Sequence, residues 1–113
     1  MATRYFITLP DVSKARAAGE LPFHSQGAEG LAQELQQALA TDNLFQKWRG
    51  RQAEPDEVDP GLGVTDPGAR VQGRQQDLQI ELTVITSIPG DILKHRLRLL
   101  AGHTWQLRDV TSA

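Results

Sequence analysis

Three histidines, His24, His95 and His103, are the side chains of this chain best suited to proton transfer near neutral pH. Asp91 stands four residues before His95. On a helix that spacing places a carboxylate beside an imidazole and orients it as a base. His103, with Asp109 beyond it, completes the set from which an acid–base site built on His95, His103 and Asp91 would be assembled. The set is sparse. Zinc needs three or four converging ligands, usually with paired spacing such as His-x-x-x-His, and no two of these histidines have it. Cysteine is absent, which removes thiolate metal sites, disulfides and cysteine nucleophiles together. No P-loop, nucleophile elbow, Gly-x-Gly-x-x-Gly or His-Glu-x-x-His occurs. The expectation is a non-catalytic domain with no cofactor and no metal, and the His95/His103/Asp91 set stands as the enzyme or ligand-binding alternative.

Two basic clusters offer a different chemistry. Lys47, Arg49 and Arg51 surround Trp48, and Lys94, Arg96 and Arg98 lie nearer the C-terminus. An aromatic ring among arginines is what interface hot spots are made of, and also what base-stacking platforms are made of. The plainer reading puts Trp48 in the core beside Leu44 and Phe45, with the arginines solvated. Nine arginines to three lysines favour planar, bidentate partners, although coding bias produces the same ratio. The net charge of −2 argues against general nucleic-acid binding, which relies on a basic excess along the phosphates. Clustered carboxylates between Glu54 and Asp66 suggest calcium. They lack the alternate-position ligands, central glycine and closing glutamate of a calcium loop, so a solvated loop is expected.

These side chains are positioned by elements that the spacing of apolar residues predicts. Arg4 to Leu9 is aromatic and β-branched and is stopped by Pro10-Asp11, which reads as a strand. Ser13 to Ala18 suggests a short helical turn, broken by Gly19 and Pro22, with Leu21 and Phe23 pinning the linker to the core. Leu31, Leu35, Ala38 and Leu39 follow a helical stripe, and Glu29 suits the first turn. Thr41-Asp42-Asn43 caps a second short helix carrying Leu44, Phe45 and Trp48, which Gly50 ends. From Arg51 to Ala69 periodicity is lost, and Asp59-Pro60-Gly61 and Asp66-Pro67-Gly68 read as successive turns. A loop of that length is usually functional or disordered.

Val71 to Gly73 suggests a short strand. Leu78, Ile80, Leu82 and Val84 alternate with polar residues, the mark of a strand with one buried face. Ile85 breaks the alternation, so cover on both sides is expected there. After Pro89-Gly90, a helix over 91–101 with Gly102 at its end competes with a strand pairing His95, Leu97 and Leu99. The helix is favoured by propensity and by both end signals. Trp105 to Val110 reads as the last strand, with Trp105 and Leu107 on one face.

The predicted order is strand, two-piece helix, strand, strand, helix, strand. The fold class is therefore α+β: a small antiparallel sheet with two or three helices on one face, in the split β-α-β, ferredoxin-like layout. Residues 1–113 are read as a single domain with a long Pro/Gly/acid-rich loop at 51–69. No apolar stretch reaches the roughly 20 residues that span a bilayer, and the first residues lack a signal-peptide core, so a cytoplasmic location and no membrane partner are expected. The functional expectation is a binding or accessory domain acting through protein–protein contacts, including self-association as a homodimer across a sheet edge. Its contact residues would be Trp48, Lys47, Arg49, Arg51, Lys94, Arg96 and Arg98. The alternative is nucleic acid held by the basic clusters 47–51 and 94–98.

Overall fold

The computed structural model describes residues 2–113. Its elements run β1 (Thr3–Leu9), α1 (Val12–Ala18), α2 (Ala28–Ala40), α3 (Asn43–Arg49), β2 (Arg70–Gln76), β3 (Gln79–Thr86), α4 (Gly90–Ala101) and β4 (Gln106–Ser112). The class is α+β, with a four-stranded sheet in the order β2-β3-β1-β4 whose neighbours are all antiparallel. It follows that β1 and β2 run parallel with β3 between them, and that β3 and β4 run parallel with β1 between them.

The period-two and helical patterns explain the packing. Tyr5, Ile7 and Leu9 of β1 and Ile80, Leu82 and Val84 of β3 point to one face, where they join Leu31, Leu35 and Leu39 of α2 and Leu93, Leu97 and Leu100 of α4 in one buried cluster. α2 lies across β2 and β3, while α1 packs on α4. Asp11 caps α1 by accepting from the Lys14 N–H at 3.1 Å, a standard N-cap arrangement. The segment after Pro89 is the helix of the two readings, and it ends at Gly102 with φ 60°. No helix is long and apolar enough to cross a membrane among the described residues.

Several expectations are corrected. Leu78, expected on the buried face of β3, sits with Asp77 in the two-residue turn between β2 and β3 and is 86% exposed. Ile85 does not end the alternation: burial continues through Thr86 and Ile88, and Ile85 is half-buried on the opposite face. β2 extends to Gln76, beyond the predicted end at Gly73. The 51–69 segment has defined internal structure, with 3-10 turns at Pro55–Glu57 and Pro60–Gly63. Asp59 accepts from the Gly61 N–H. Asp66 accepts from the Gly68 and Ser87 N–H groups and from the Thr86 hydroxyl, so these carboxylates hold turns together. Gly63 lies where a Cβ would enter the Phe45 ring, so the loop seats directly on α3.

Candidate functional site

A groove of about 750 Å³ lies between the Glu20–Ser25 segment, α2 and the α3 end that continues into Arg51. Its first wall has no secondary structure, yet it is fixed from two sides. Glu34 on α2 accepts from the His24 N–H at 3.0 Å and from the Ser25 N–H at 2.5 Å. Arg16 on α1 donates to the Phe23 carbonyl at 3.3 Å and the Ser25 carbonyl at 2.5 Å. Leu21 N–H donates to the Leu99 carbonyl, and Phe23 is buried. Partial burial raises the Glu34 pKa. Hydrogen bonds from the Ser25 side chain and from the His24 and Ser25 amides, with the nearby His24 ring, outweigh it and hold the carboxyl below its usual range. The wall is thus polar in sequence but rigid in place.

The opposite lip carries Leu44, Lys47 and Arg51, with Lys47 three and Arg51 seven residues after Leu44, so helical geometry brings them to one side. Arg51 Nη1 donates to the Glu20 carbonyl at 3.2 Å and closes one end. Leu21, Pro22, Ala38 and Leu100 supply apolar lining, while Glu20, Gln33 and Gln37 are polar. Arg49 points elsewhere: it donates to the Pro55 carbonyl and lies 3.5 Å from Asp56, which anchors the start of the 51–69 segment. The first basic cluster therefore divides, with two members at the groove and one bound to the loop.

The second cluster divides too. Lys94 and Arg98 are exposed, but Arg96 is fully buried. Its guanidinium donates to the carbonyls of Ala38, Leu62 and Val64, and its Nε has no partner. Three carbonyl dipoles, one from the last turn of α2, replace water around the charge. The seven predicted contact residues therefore do not form one surface. Trp48 is half-buried between Phe45 and His95: its ring centroid is 5.9 Å from Phe45 and 4.6 Å from His95, edge-on to the imidazole.

His95 is half-buried, and its Nδ1 is buried without a partner. Burial lowers its pKa and the Arg98 and Arg96 charges lower it further, so the neutral ring is favoured, with Glu20 opposing weakly. Asp91 and His103 are exposed, and no hydrogen bond joins Asp91 to His95 among the described residues. No group of three histidine or carboxylate side chains is close enough to hold a metal ion among the described residues. Asp109 is spent on the Val110 N–H at 2.8 Å. What the geometry assembles is a fixed groove with an apolar lining and two cations on one lip.

The wall at 20–25 is not foreseeable from periodicity, because tertiary partners hold it. Its signs in the sequence are Leu21 and Phe23, the apolar residues expected to pin the segment, and Glu34, an acid on the glutamine-rich face of α2. Comparison with protein-family models, with curated proteins and with solved structures found no match.

Proposed function

We propose that this chain is a small non-catalytic binding domain that works through protein–protein contact, with the groove between residues 20–25 and α2–α3 as its contact site. The observation that carries the reading is the groove itself: a preformed concavity whose two walls are locked by Glu34, Arg16 and Arg51, with Lys47 and Arg51 free of any carboxylate partner on one lip among the described residues. A partner segment would place an apolar side chain against Leu21, Pro22 and Leu44 and a carboxylate at Lys47 and Arg51. Rigid walls reduce the entropy lost on binding, so even a short segment gains affinity there.

A separate partner fits better than a second copy paired through a sheet edge. Gln36 accepts from the Val71 N–H at one edge of the sheet, and Asp109 accepts from the Val110 N–H at the other. An amide already bound by a side chain is withheld from a neighbouring strand, so each edge has one position that cannot extend the ladder.

Peptide selection against the immobilised domain, followed by amide-shift mapping, tests the proposal. Selected peptides should shift amides of residues 20–25 and 33–51. Lys47→Glu with Arg51→Glu should weaken them at least about tenfold, or 1.4 kcal/mol. Peptides that map elsewhere, or that bind the double variant equally well, would remove the groove from consideration.

A further inference from the structure

We infer that the sheet face away from the helices is a second binding surface, and that its ligand is single-stranded RNA. This goes beyond the proposed groove, which lies in the helical layer.

The strand register assigns the residues of this face. Arg4 stands opposite Ile85, and Ile85 opposite Arg70, while Thr111 flanks Arg4 from β4. In the next row Phe6 stands opposite Thr83, Thr83 opposite Gln72, and Asp109 flanks Phe6. In the third, Thr8 faces Glu81 and Glu81 faces Arg74. Helices α1, α2 and α4 contribute buried residues to the other side of the sheet, in the cluster that holds Tyr5, Ile7, Ile80 and Leu82. On this side Arg70, Gln72, Arg74, Asp109 and Thr111 are exposed, and Phe6 and Ile85 are half-buried at its centre.

Charge and ring identify the occupant. The chain as a whole is acidic, but this face carries three arginines against two carboxylates. Glu81 and Arg74 neutralise each other at 2.6 Å, and Asp109, which holds the Val110 N–H, keeps its charge, so Arg4 and Arg70 leave the face with one net positive charge. Arg4 and Arg70 have no carboxylate within ion-pair distance among the described residues. Neighbouring strands are about 4.8 Å apart, so Arg4 and Arg70, two strands apart, are separated by roughly 10 Å; Phe6 is about 7 Å along the strand from Arg4. A base stacked on Phe6 would leave its flanking phosphates within reach of both long side chains.

A second copy docked face to face about a two-fold axis would present the same net positive face, so the pair gains no overall charge complementarity. A duplex keeps its bases stacked inside and cannot use the ring. Thr83 beside Phe6, Thr111 beside Arg4, and Gln72 one strand beyond Thr83 offer hydroxyl and amide groups to a 2′-hydroxyl, the group that separates RNA from DNA.

Fluorescence anisotropy of the full chain with labelled oligouridylate of about eight nucleotides tests this. Saturable binding at low salt that weakens as salt rises is expected. The exposed-face double variant Arg4→Gln/Arg70→Gln should flatten the plot of log affinity against log salt by about 1.4, which is about 0.7 for each single-strand phosphate that is no longer neutralised. Phe6→Leu keeps an apolar cover and should weaken binding about 5- to 150-fold with little change in slope, since stacking on one ring carries about 1–3 kcal/mol. Circular dichroism confirms that each variant is folded. Oligothymidylate and a duplex of equal length should bind more weakly. No binding at low salt, an unchanged slope in the arginine variant, equal affinity for oligothymidylate, or displacement of the RNA by polyglutamate at equal charge would each overturn the inference. Loss of RNA binding in Lys47→Glu/Arg51→Glu alone would overturn it too, by moving the site to the groove.

Discussion

Arg96 Nη1 donates to the Ala38 carbonyl at 2.6 Å, joining the middle of α4 to the last turn of α2 with a charge that never reaches solvent. Its other terminal nitrogen gathers the Leu62 and Val64 carbonyls, so one guanidinium ties two helices to the 51–69 segment. Burial depresses the Arg96 pKa and the Asp42 charge partly restores it, yet the group starts so high that it remains charged at neutral pH.

Replacing Arg96 by Met keeps an extended side chain and removes five donors. The carbonyls of Ala38, Leu62 and Val64 would then be left without them. Urea denaturation should report a loss of about 3–5 kcal/mol, since each buried carbonyl left without a donor costs about 1–3 kcal/mol. Arg96→Lys should recover only part of it, because an ammonium lacks the planar fork that spans separated acceptors. Hydrogen exchange supplies the second readout: amides at 62, 64 and 66 should lose protection before those of β3. Equal stability of the Met variant would show that the guanidinium contributes nothing net.

His95 makes stability depend on pH in a defined direction. Its folded pKa lies below the ordinary value, chiefly through burial and then through Arg98 and Arg96. The unfolded chain therefore binds the proton more readily. Its contribution is fully present above the unfolded pKa of about 6.5 and is lost as pH falls through that value toward the lower folded one. His95→Phe keeps a ring for Trp48 to pack against and removes the titration. The stability difference between pH 7.5 and 5 should be smaller in the variant than in the parent. A variant with the same pH dependence would show that other groups carry it.

How much of this is readable from the sequence follows from how local each signal is. β1, the α2–α3 pair, the centre of β3 and α4 are carried by their own periodicity, and each is predicted within a few residues. Leu78 misleads because an apolar residue continues the alternation by one step, whereas the hairpin needs Asp77-Leu78 as its turn, with Asp77 at φ 55°. By charge, Arg96 groups with Lys94 and Arg98. Its place in the spacing 93, 96, 97, 100, which is one helical face, points inward, and Leu93, Leu97 and Leu100 are indeed buried beside it. The two Asp-Pro-Gly turns are local and readable, each closed by its aspartate on the glycine N–H, but the placement of the 51–69 segment and the groove wall at 20–25 rest on partners distant in sequence, namely Arg96, Thr86, Glu34 and Arg16. No window of a few residues contains that information.

Gly73 tests the closeness of the α2–sheet contact on which the single core depends. It lies in the middle of β2, where a side chain would normally be favoured and a glycine costs about 0.5–1 kcal/mol. The reason is the helix above it: a Cβ at this position would overlap the Ala28 carbonyl oxygen and press on the Ala32 side chain at 3.2 Å. The nearest atom belongs to the backbone of the first helical residue, so no rotamer change relieves the clash. α2 must lift from β2 or the strand must bend. Gly73→Ala should therefore destabilise the protein by about 1–3 kcal/mol despite alanine's lower unfolded-state entropy, the range seen when a packed contact is overfilled. For a domain of this size that corresponds to a fall in Tm of roughly 4–8 °C for each kcal/mol. Calorimetry measures it directly. A neutral or raised Tm would mean that α2 sits farther from the sheet, with more room over β2 than this contact allows.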